Sequence, residues 1–496
     1  MIWQHLLILP IVLPLAGAIP AAVLRGKSGA WIALATSFLT LLASAAVLYA
    51  AFVAGPQIYP IGGWAPPHGI ILVADLFGAS LSVTSAGVAV ASALHILVSG
   101  EKTVMHRLYH PLFLLLLMAL GGVFLTGDLF NLYVFMELVI LSSFALVALA
   151  DRPVSAETTF KYAVLSSLGS LLLLVSVALV YAGVGTLNMA DIAQHVRREA
   201  TASFWPVAAA MMLFAFFLKG AVFPFHFWQP DAHSAAPSSV SAMLSGILVK
   251  IGFYGIVRMV TLLFPDAPAI LILAPLGAAS AVFGGLAALS NTNLKRMLAY
   301  STIANMGFIL LALGWGGQLG LTAAIINAVN HAFIKASLFL SAGYVTERLG
   351  EQSMQRLGGV TRLTVSGTLA FGLGAMALAG LPPLSGFLSK LTLFQAGLAA
   401  QDPVLLTVAA LASGLGIAYS LRAFVLVYWG TTPLWARERW DLHEGYLSMP
   451  LAPLLLASVY IALGIWAGPF VALASAAAME LNQPDIYITA VLGGER

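Results

Sequence analysis

The sequence predicts an all-α polytopic membrane protein with about fourteen transmembrane helices. Three observations carry that expectation. Of the 496 residues, 60% are hydrophobic. Only 8% are charged, against roughly 25% in an ordinary soluble chain. Apolar runs of about 20 residues, enough to cross a hydrocarbon core roughly 30 Å thick, recur along the whole chain. A soluble enzyme, a nucleic-acid binder and a disordered chain are excluded by this composition. The net charge of +3 is too small to act as a global field. With no cysteine there is no disulfide, thiolate zinc site or Cys-ligated iron–sulfur cluster.

Fourteen runs read as spans: 3–24, 29–54, 72–98, 111–126, 128–150, 158–184, 204–225, 238–262, 267–288, 293–313, 318–347, 363–400, 403–430 and 449–475. They are continuous and rich in Leu, Ala and Val, unlike the short alternating segments of a β-barrel. The first run lacks the basic start of a signal peptide. Thr126-Gly127-Asp128 separates spans four and five. Residues 55–68, with Gly63, Pro66 and Pro67, predict a small hairpin. The polar stretches 185–203 and 431–448 are too short for soluble domains, so the chain reads as one membrane domain.

Orientation follows from the basic residues. After odd-numbered spans stand Arg25, Lys27, Lys102, Arg107, Arg152, Lys161, Lys295, Arg296, Arg348, Arg356, Arg362, Arg437 and Arg439; after even-numbered spans stand only Arg197, Arg198, Arg258 and Arg496. The positive-inside rule then puts odd loops in the cytoplasm and both termini outside.

Charges inside spans are costly, about 2.5–3.5 kcal/mol at the bilayer centre on insertion scales, so those present are candidate functional groups. Glu137 lies near the middle of span five. Lys219 precedes Gly220, Pro224 and Pro230, beside an interruption of span seven. Lys250 lies thirteen residues past Pro237, roughly 20 Å of helix, too deep to snorkel. Asn327, His331 and Lys335, spaced i, i+4, i+8, share one face of span eleven, with Asn330 beside them. Lys390 follows Gly380, Pro382, Pro383 and Gly386, which break span twelve. Broken backbone at membrane depth is tolerated only where protein or a water-filled cavity satisfies it. Paired interrupted helices running in opposite directions are the pattern of an inverted-repeat transporter.

Burial lowers a lysine pKa and raises that of a glutamate, and opposite charges reverse both shifts. A row of such groups can pass protons, each step altering the next. The deep basic residues are all lysines, which lose a proton readily when buried, whereas arginine stays charged. Arg422, nearer the end of span thirteen, reads as an anchor. No His-Glu-x-x-His occurs, and Gly26-Lys27-Ser28 is not a P-loop because Ala21 stands where that motif needs glycine. No metal, cofactor or catalytic chemistry is expected of the chain itself.

Three stretches carry a family resemblance. They are Thr126-Gly127-Asp128-Leu129-Phe130-Asn131-Leu132-Tyr133-Val134-Phe135-Met136-Glu137, Leu218-Lys219-Gly220-Ala221-Val222-Phe223-Pro224 and His331-Ala332-Phe333-Ile334-Lys335-Ala336. They resemble the antiporter-like subunits of respiratory complex I and of Mrp-type multisubunit cation/proton antiporters. The Gly-Asp-Leu-Phe-Asn version, the chain length and the lysine in span twelve look most like the MrpD branch. Met136 stands where relatives often have an aromatic residue. The stretch from Trp228 to Pro237 is also similar to the complex I and membrane-hydrogenase versions.

The resemblance implies two inverted five-helix repeats, 111–262 and 267–430, with helices 7 and 12 broken. It implies a proton route in which Glu137 and Lys219 are the key pair, Lys250 the link, His331 and Lys335 the central relay, and Lys390 the terminal lysine. The expected partners are sister subunits of an antiporter complex in a bacterial plasma membrane, the lipid bilayer, protons, and Na⁺ or K⁺, with no nucleic acid. Inward proton flow would drive cation export. The alternative is a proton-pumping subunit of complex I or of a membrane-bound hydrogenase.

Overall fold

The computed structural model describes residues 5–24, 26–99, 106–150, 155–199, 205–265, 270–441 and 450–493. Arg25, Lys102, Arg152 and Arg496, used above for orientation, lie outside the described residues.

The chain is an all-α polytopic membrane protein. Its helices are α1 (Leu9–Val23), α2 (Lys27–Ala54), α3 (Leu76–Ser99), α4 (Tyr109–Leu125), α5 (Leu129–Ala148), α6 (Ser155–Val184), α7 (Met189–Glu199), α8 (Trp205–Lys219) and α9 (Trp228–Ala235). They continue with α10 (Ser238–Leu263), α11 (Ile270–Ser290), α12 (Leu294–Trp315), α13 (Gly317–Leu349), α14 (Val365–Ala379), α15 (Ser385–Ala399) and α16 (Pro403–Tyr428). The last are α17 (Leu434–Asp441), α18 (Leu451–Ile465), α19 (Ala467–Asn482) and α20 (Pro484–Leu492). Among the described residues, nine helices are long and apolar enough to cross a bilayer, and the bent pair α18–α19 makes up to ten. The helices α1, α4, α8 and α14 are apolar but shorter.

The expected hairpin is present and extends further than the sequence suggested. β1 (Gln57–Pro60) pairs antiparallel with β2 (Ile71–Ala74) in the register Gln57↔Ala74 and Pro60↔Ile71. The apolar run from residue 72 therefore begins as a strand, and its helix starts only at Leu76. A second correction concerns the run 449–475, which is not one straight span. It bends by 83° between α18 and α19, and helix continues to Asn482.

Helix starts are set by local chemistry. The side chains of Asp128, Asn293, Thr364 and Asp402 accept the backbone N–H three residues on, at 2.7–3.0 Å, and so cap α5, α12, α14 and α16. Two junctions recur. Before α5, Met189 N donates to Gly127 O and Leu129 N to Leu187 O; before α12, Met354 N donates to Thr292 O and Leu294 N to Gln352 O.

Both interruptions expected from glycine and proline occur. α8 ends at Lys219 and helix resumes at Trp228, with Pro224 in the gap. α14 ends at Ala379 and α15 starts at Ser385, with Pro382 and Pro383 between them. The most apolar windows of α10 and α13 are entirely buried by protein, whereas only 33% of that of α16 is. The two innermost helices are thus the ones that carry Lys250, His331 and Lys335.

Two loop assignments are corrected. Lys295 and Arg258 are not solvated loop residues: both are buried within helices α12 and α10. Each stands close enough to a helix end to resemble a flanking charge in sequence, and each meets a carboxylate there.

Candidate functional site

The site is built along the middle of the bundle. Lys219, the last residue of α8, is buried, and its Nζ donates to Ser166 O of α6 at 2.9 Å. The helix end is fixed by Trp228, whose Nε1 donates to Leu218 O at 2.7 Å and whose ring stacks on Tyr162. Glu137 is half-buried on α5 and is the acidic group whose field reaches Lys219. The two are not in direct contact: among the described residues no carboxylate lies within 4.0 Å of Lys219, and Glu137 Oε1 is buried without a hydrogen-bond partner. The expected key pair is therefore a through-space pair.

Lys219 is tied to the next lysine through backbone. Gly252 of α10 packs so closely on Gly220 that an added Cβ would overlap Gly220 N. Two residues before Gly252, Lys250 Nζ lies 2.6 Å from His331 Nδ1 of α13 and donates to Ser245 O at 2.9 Å. Residues Leu244–Leu248 form a π-helical turn. Such a turn departs from the ordinary ladder, and here the Ser245 carbonyl accepts from the ammonium. The Lys250–His331 contact holds a proton in either of two arrangements: an ammonium donating to neutral Nδ1, or a neutral amine accepting from Nδ1–H.

One helical turn along α13, Lys335 Nζ donates to Leu298 O at 2.9 Å and to the Ser301 hydroxyl, both on α12. Asn330 Nδ2 reaches α15, donating to Ser385 O at 3.0 Å and Ser389 Oγ at 2.9 Å. Asn327, His331, Ser389 and Lys390 line one cavity of about 20 Å³, room for about one water. The Nε2 of His331 is buried and has no hydrogen-bond partner among the described residues.

Lys390 folds back onto the break, with Nζ donating to Ala379 O, at the end of α14, at 2.7 Å. Both broken spans therefore put a lysine at the C-terminal end of a half-helix, where the helix dipole favours a cation. Among the described residues, none of Lys219, Lys250, Lys335 and Lys390 has a carboxylate within 4.0 Å. Without fixed counter-charges, a proton gained by one is felt by its neighbours.

Sequence reasoning missed a charged cluster at each end of α3 and α10. At one end, Asp75 and Arg258 form a buried bidentate pair at 2.6 and 2.7 Å, with Glu480 beside it. At the other, Glu347 accepts from the Ser238 hydroxyl and stands 3.8 Å from Lys295 and 3.9 Å from His95. A signal for the first existed: Lys250, Tyr254 and Arg258 have the i, i+4, i+8 spacing that singled out span eleven.

A polytopic fold with broken helices and a buried row of lysines defines a membrane proton-handling protein, and its relatives place it more closely. The family described as NADH:quinone oxidoreductase/Mrp antiporter, transmembrane, matches residues 126–416, and the chain belongs to it. It is 34% identical to the D-type Na⁺/H⁺ antiporter subunit of Alkalihalophilus pseudofirmus over 88% of this chain and 89% of that one. It is 33% identical to the D-type subunit of Bacillus subtilis over 99% of both, and 32% identical to the N-type NADH-quinone oxidoreductase subunit of Desulforudis audaxviator over 86% of both. Its fold matches a chain in the Mrp complex of a Dietzia species with a TM-score of 0.91, at 28% identity over 99% of this chain and all of that one. It also matches a chain of an archaeal membrane-bound sulfane sulfur reductase with a TM-score of 0.88, at 32% identity over the same shares.

Proposed function

We propose that the chain is the proton-translocating subunit of a multisubunit Na⁺(K⁺)/H⁺ antiporter, working only with sister subunits in a bacterial plasma membrane. The observation that carries the reading is the connected row from the buried Lys219, Lys250 and His331 to the half-buried Lys390, free of fixed counter-ions among the described residues, in a chain so similar to the D-type antiporter subunits. Glu137 sets the proton occupancy of Lys219 by its field. Lys250 and His331 exchange one proton, Lys335 feels that exchange, and the cavity carries it on to Lys390. Inward proton movement along the row drives cation export. Both termini face outside, as the charge bias of the loops indicates. The recurring junctions before α5 and α12 support two inverted repeats, 111–262 and 267–430, in a fourteen-span arrangement.

The test is Na⁺-driven exchange by the intact complex in liposomes. Glu137→Ala and Lys219→Ala abolish exchange while assembly is unchanged; full activity in both variants overturns the assignment. A redox-driven proton pump is the second reading, favoured by the likeness to the N-type oxidoreductase subunit and to the sulfane sulfur reductase. The composition of the purified complex separates the two: small antiporter subunits support the first, quinone- or hydrogen-linked subunits the second.

A further inference from the structure

The relay leaves both charged clusters unused, and the one around Arg258 carries an inference. Lys250, Tyr254 and Arg258 lie on one face of α10, and Lys250 and Arg258 are about 12 Å apart along its axis. Beyond Arg258 the helix again turns π-helical, over Met259–Leu263. Arg258 is only 3% exposed. Its guanidinium is held by both oxygens of Asp75 and packs on the rings of Tyr254 and Tyr487, at 5.0 and 5.2 Å, and of Phe77. Among the described residues its Nε has no hydrogen-bond partner, and the buried Tyr254 hydroxyl lies within the field of the same guanidinium.

A second carboxylate waits beside the pair. Glu480, from α19, accepts one backbone N–H, that of Leu76, at 3.0 Å, and shares a cavity of about 10 Å³ with Asp75 and Arg258. It makes no ion pair within 4.0 Å among the described residues, although its charge and those of Asp75 and Arg258 act on one another. One guanidinium thus stands between two carboxylates contributed by different elements, and pairs with only one of them.

We propose that Asp75–Arg258 is a charged gate closing the end of α10 remote from Ser238, and that Glu480 is the alternative partner which takes Arg258 when the gate opens. The inference rests on the proton-relay reading of Lys250. With Arg258 on Asp75, a closed ion pair packed on three aromatic rings occupies that end of α10. Its carboxylate is taken up by the guanidinium, so it offers Na⁺, K⁺ or a hydrated proton no acceptor, and the arginine adds to the barrier as arginines do in narrow pores. With Arg258 on Glu480, the Asp75 carboxylate is released toward the Tyr254 hydroxyl, and the barrier to protons falls. A purely structural tie is the competing account. It needs neither an unpartnered Nε nor a second carboxylate open to the same cavity, and a buried ion pair is in itself weak evidence of a stabilising role.

The test uses the intact complex in liposomes with an internal pH dye. Passive proton entry is driven by a membrane potential without Na⁺, and Na⁺-driven exchange is read separately. The double variant Asp75→Asn/Arg258→Gln removes both charges and leaves no lone ion buried. It raises the Na⁺-independent leak severalfold. Glu480→Gln leaves the leak at the wild-type level and slows exchange, because Arg258 loses its alternative partner. Arg258→Lys, which keeps the charge, holds the leak low. An assembled double variant as tight as wild type overturns the gate, and so does wild-type exchange by Glu480→Gln, which decides the matter alone if the double variant fails to assemble. Lys219→Ala tests the relay on its own, and since the leak assay contains no Na⁺, failure of the relay and failure of the gate are read independently.

Discussion

At the residue scale, the proposed relay turns on a place where a nitrogen meets a nitrogen. Lys250 Nζ and His331 Nδ1 are 2.6 Å apart inside helices covered by protein, so a proton on one excludes a proton on the facing side of the other. Lys250→Arg therefore abolishes exchange even though it keeps the positive charge. A guanidinium does not give up its proton, and it is too wide for the space between Ser245 and His331. Lys250→Met abolishes exchange as well, with normal assembly, because methionine fills the same apolar stem. Exchange by Lys250→Arg near the wild-type rate would show that charge, not titration, is what the site needs. Lys250 was legible in the sequence because a lysine deep in an apolar run has no cheap explanation. Its partner was not: spacing along one helix says which residues share a face, and nothing of which helix that face meets. Arg258 and Lys295 show the converse error. Their nearness to span ends made solvation the simple reading, but Asp75 and Glu347 lie far away in sequence and supplied the partners.

At the element scale, the half-helices are positioned by close backbone approach. An added Cβ on Gly386, in the first turn of α15, would overlap Ala377 O. Gly386→Ala must therefore push α15 away from α14, moving Lys390 off the Ala379 carbonyl and enlarging the cavity it shares with His331. The expected outcome is a strong loss of exchange. The control is Gly414→Ala on α16, where nothing lies within 4 Å, and which leaves exchange unchanged. Equal activity of both variants would refute the positioning role of the break. Arg422 acts elsewhere, donating to Leu289 O at 2.9 Å and Asn291 O at 2.7 Å across the end of α11. It satisfies helix-end carbonyls from a half-buried position near the end of α16. Arg422→Ala costs about 1.5–3 kcal/mol, the range for hydrogen bonds to charged groups, read as a lower melting temperature of the detergent-solubilised complex with exchange retained. Both helix breaks could be read from glycine and proline. The π-helical turn before Lys250 could not, because no residue in it forces the departure; the 83° bend between α18 and α19 falls among Gly464, Gly468 and Pro469, a signal that the continuous apolar run around it masks.

At the scale of the whole molecule, the question is which surface meets lipid and which meets protein. Phe130, Val134 and Leu141 are 42%, 37% and 50% exposed on α5, and their spacing aligns them with Glu137 on one stripe. A charge at membrane depth costs about 2.5–3.5 kcal/mol on insertion scales; Glu137 is half-buried beside this stripe, and its buried Oε1 finds no partner among the described residues. The residue proposed to act on Lys219 therefore marks the side on which a sister subunit is expected to pack, covering the apolar stripe beside the acid. The chain contains no cysteine, so a single introduced thiol reports on this surface without background. Val134→Cys reacts with a membrane-permeant maleimide when the chain is produced alone in membranes. It is protected severalfold in the assembled complex and becomes fully reactive again after denaturation. Equal labelling in the two native samples would mean that α5 faces lipid in the complex, leaving Glu137 to be satisfied by water reaching it from within the bundle.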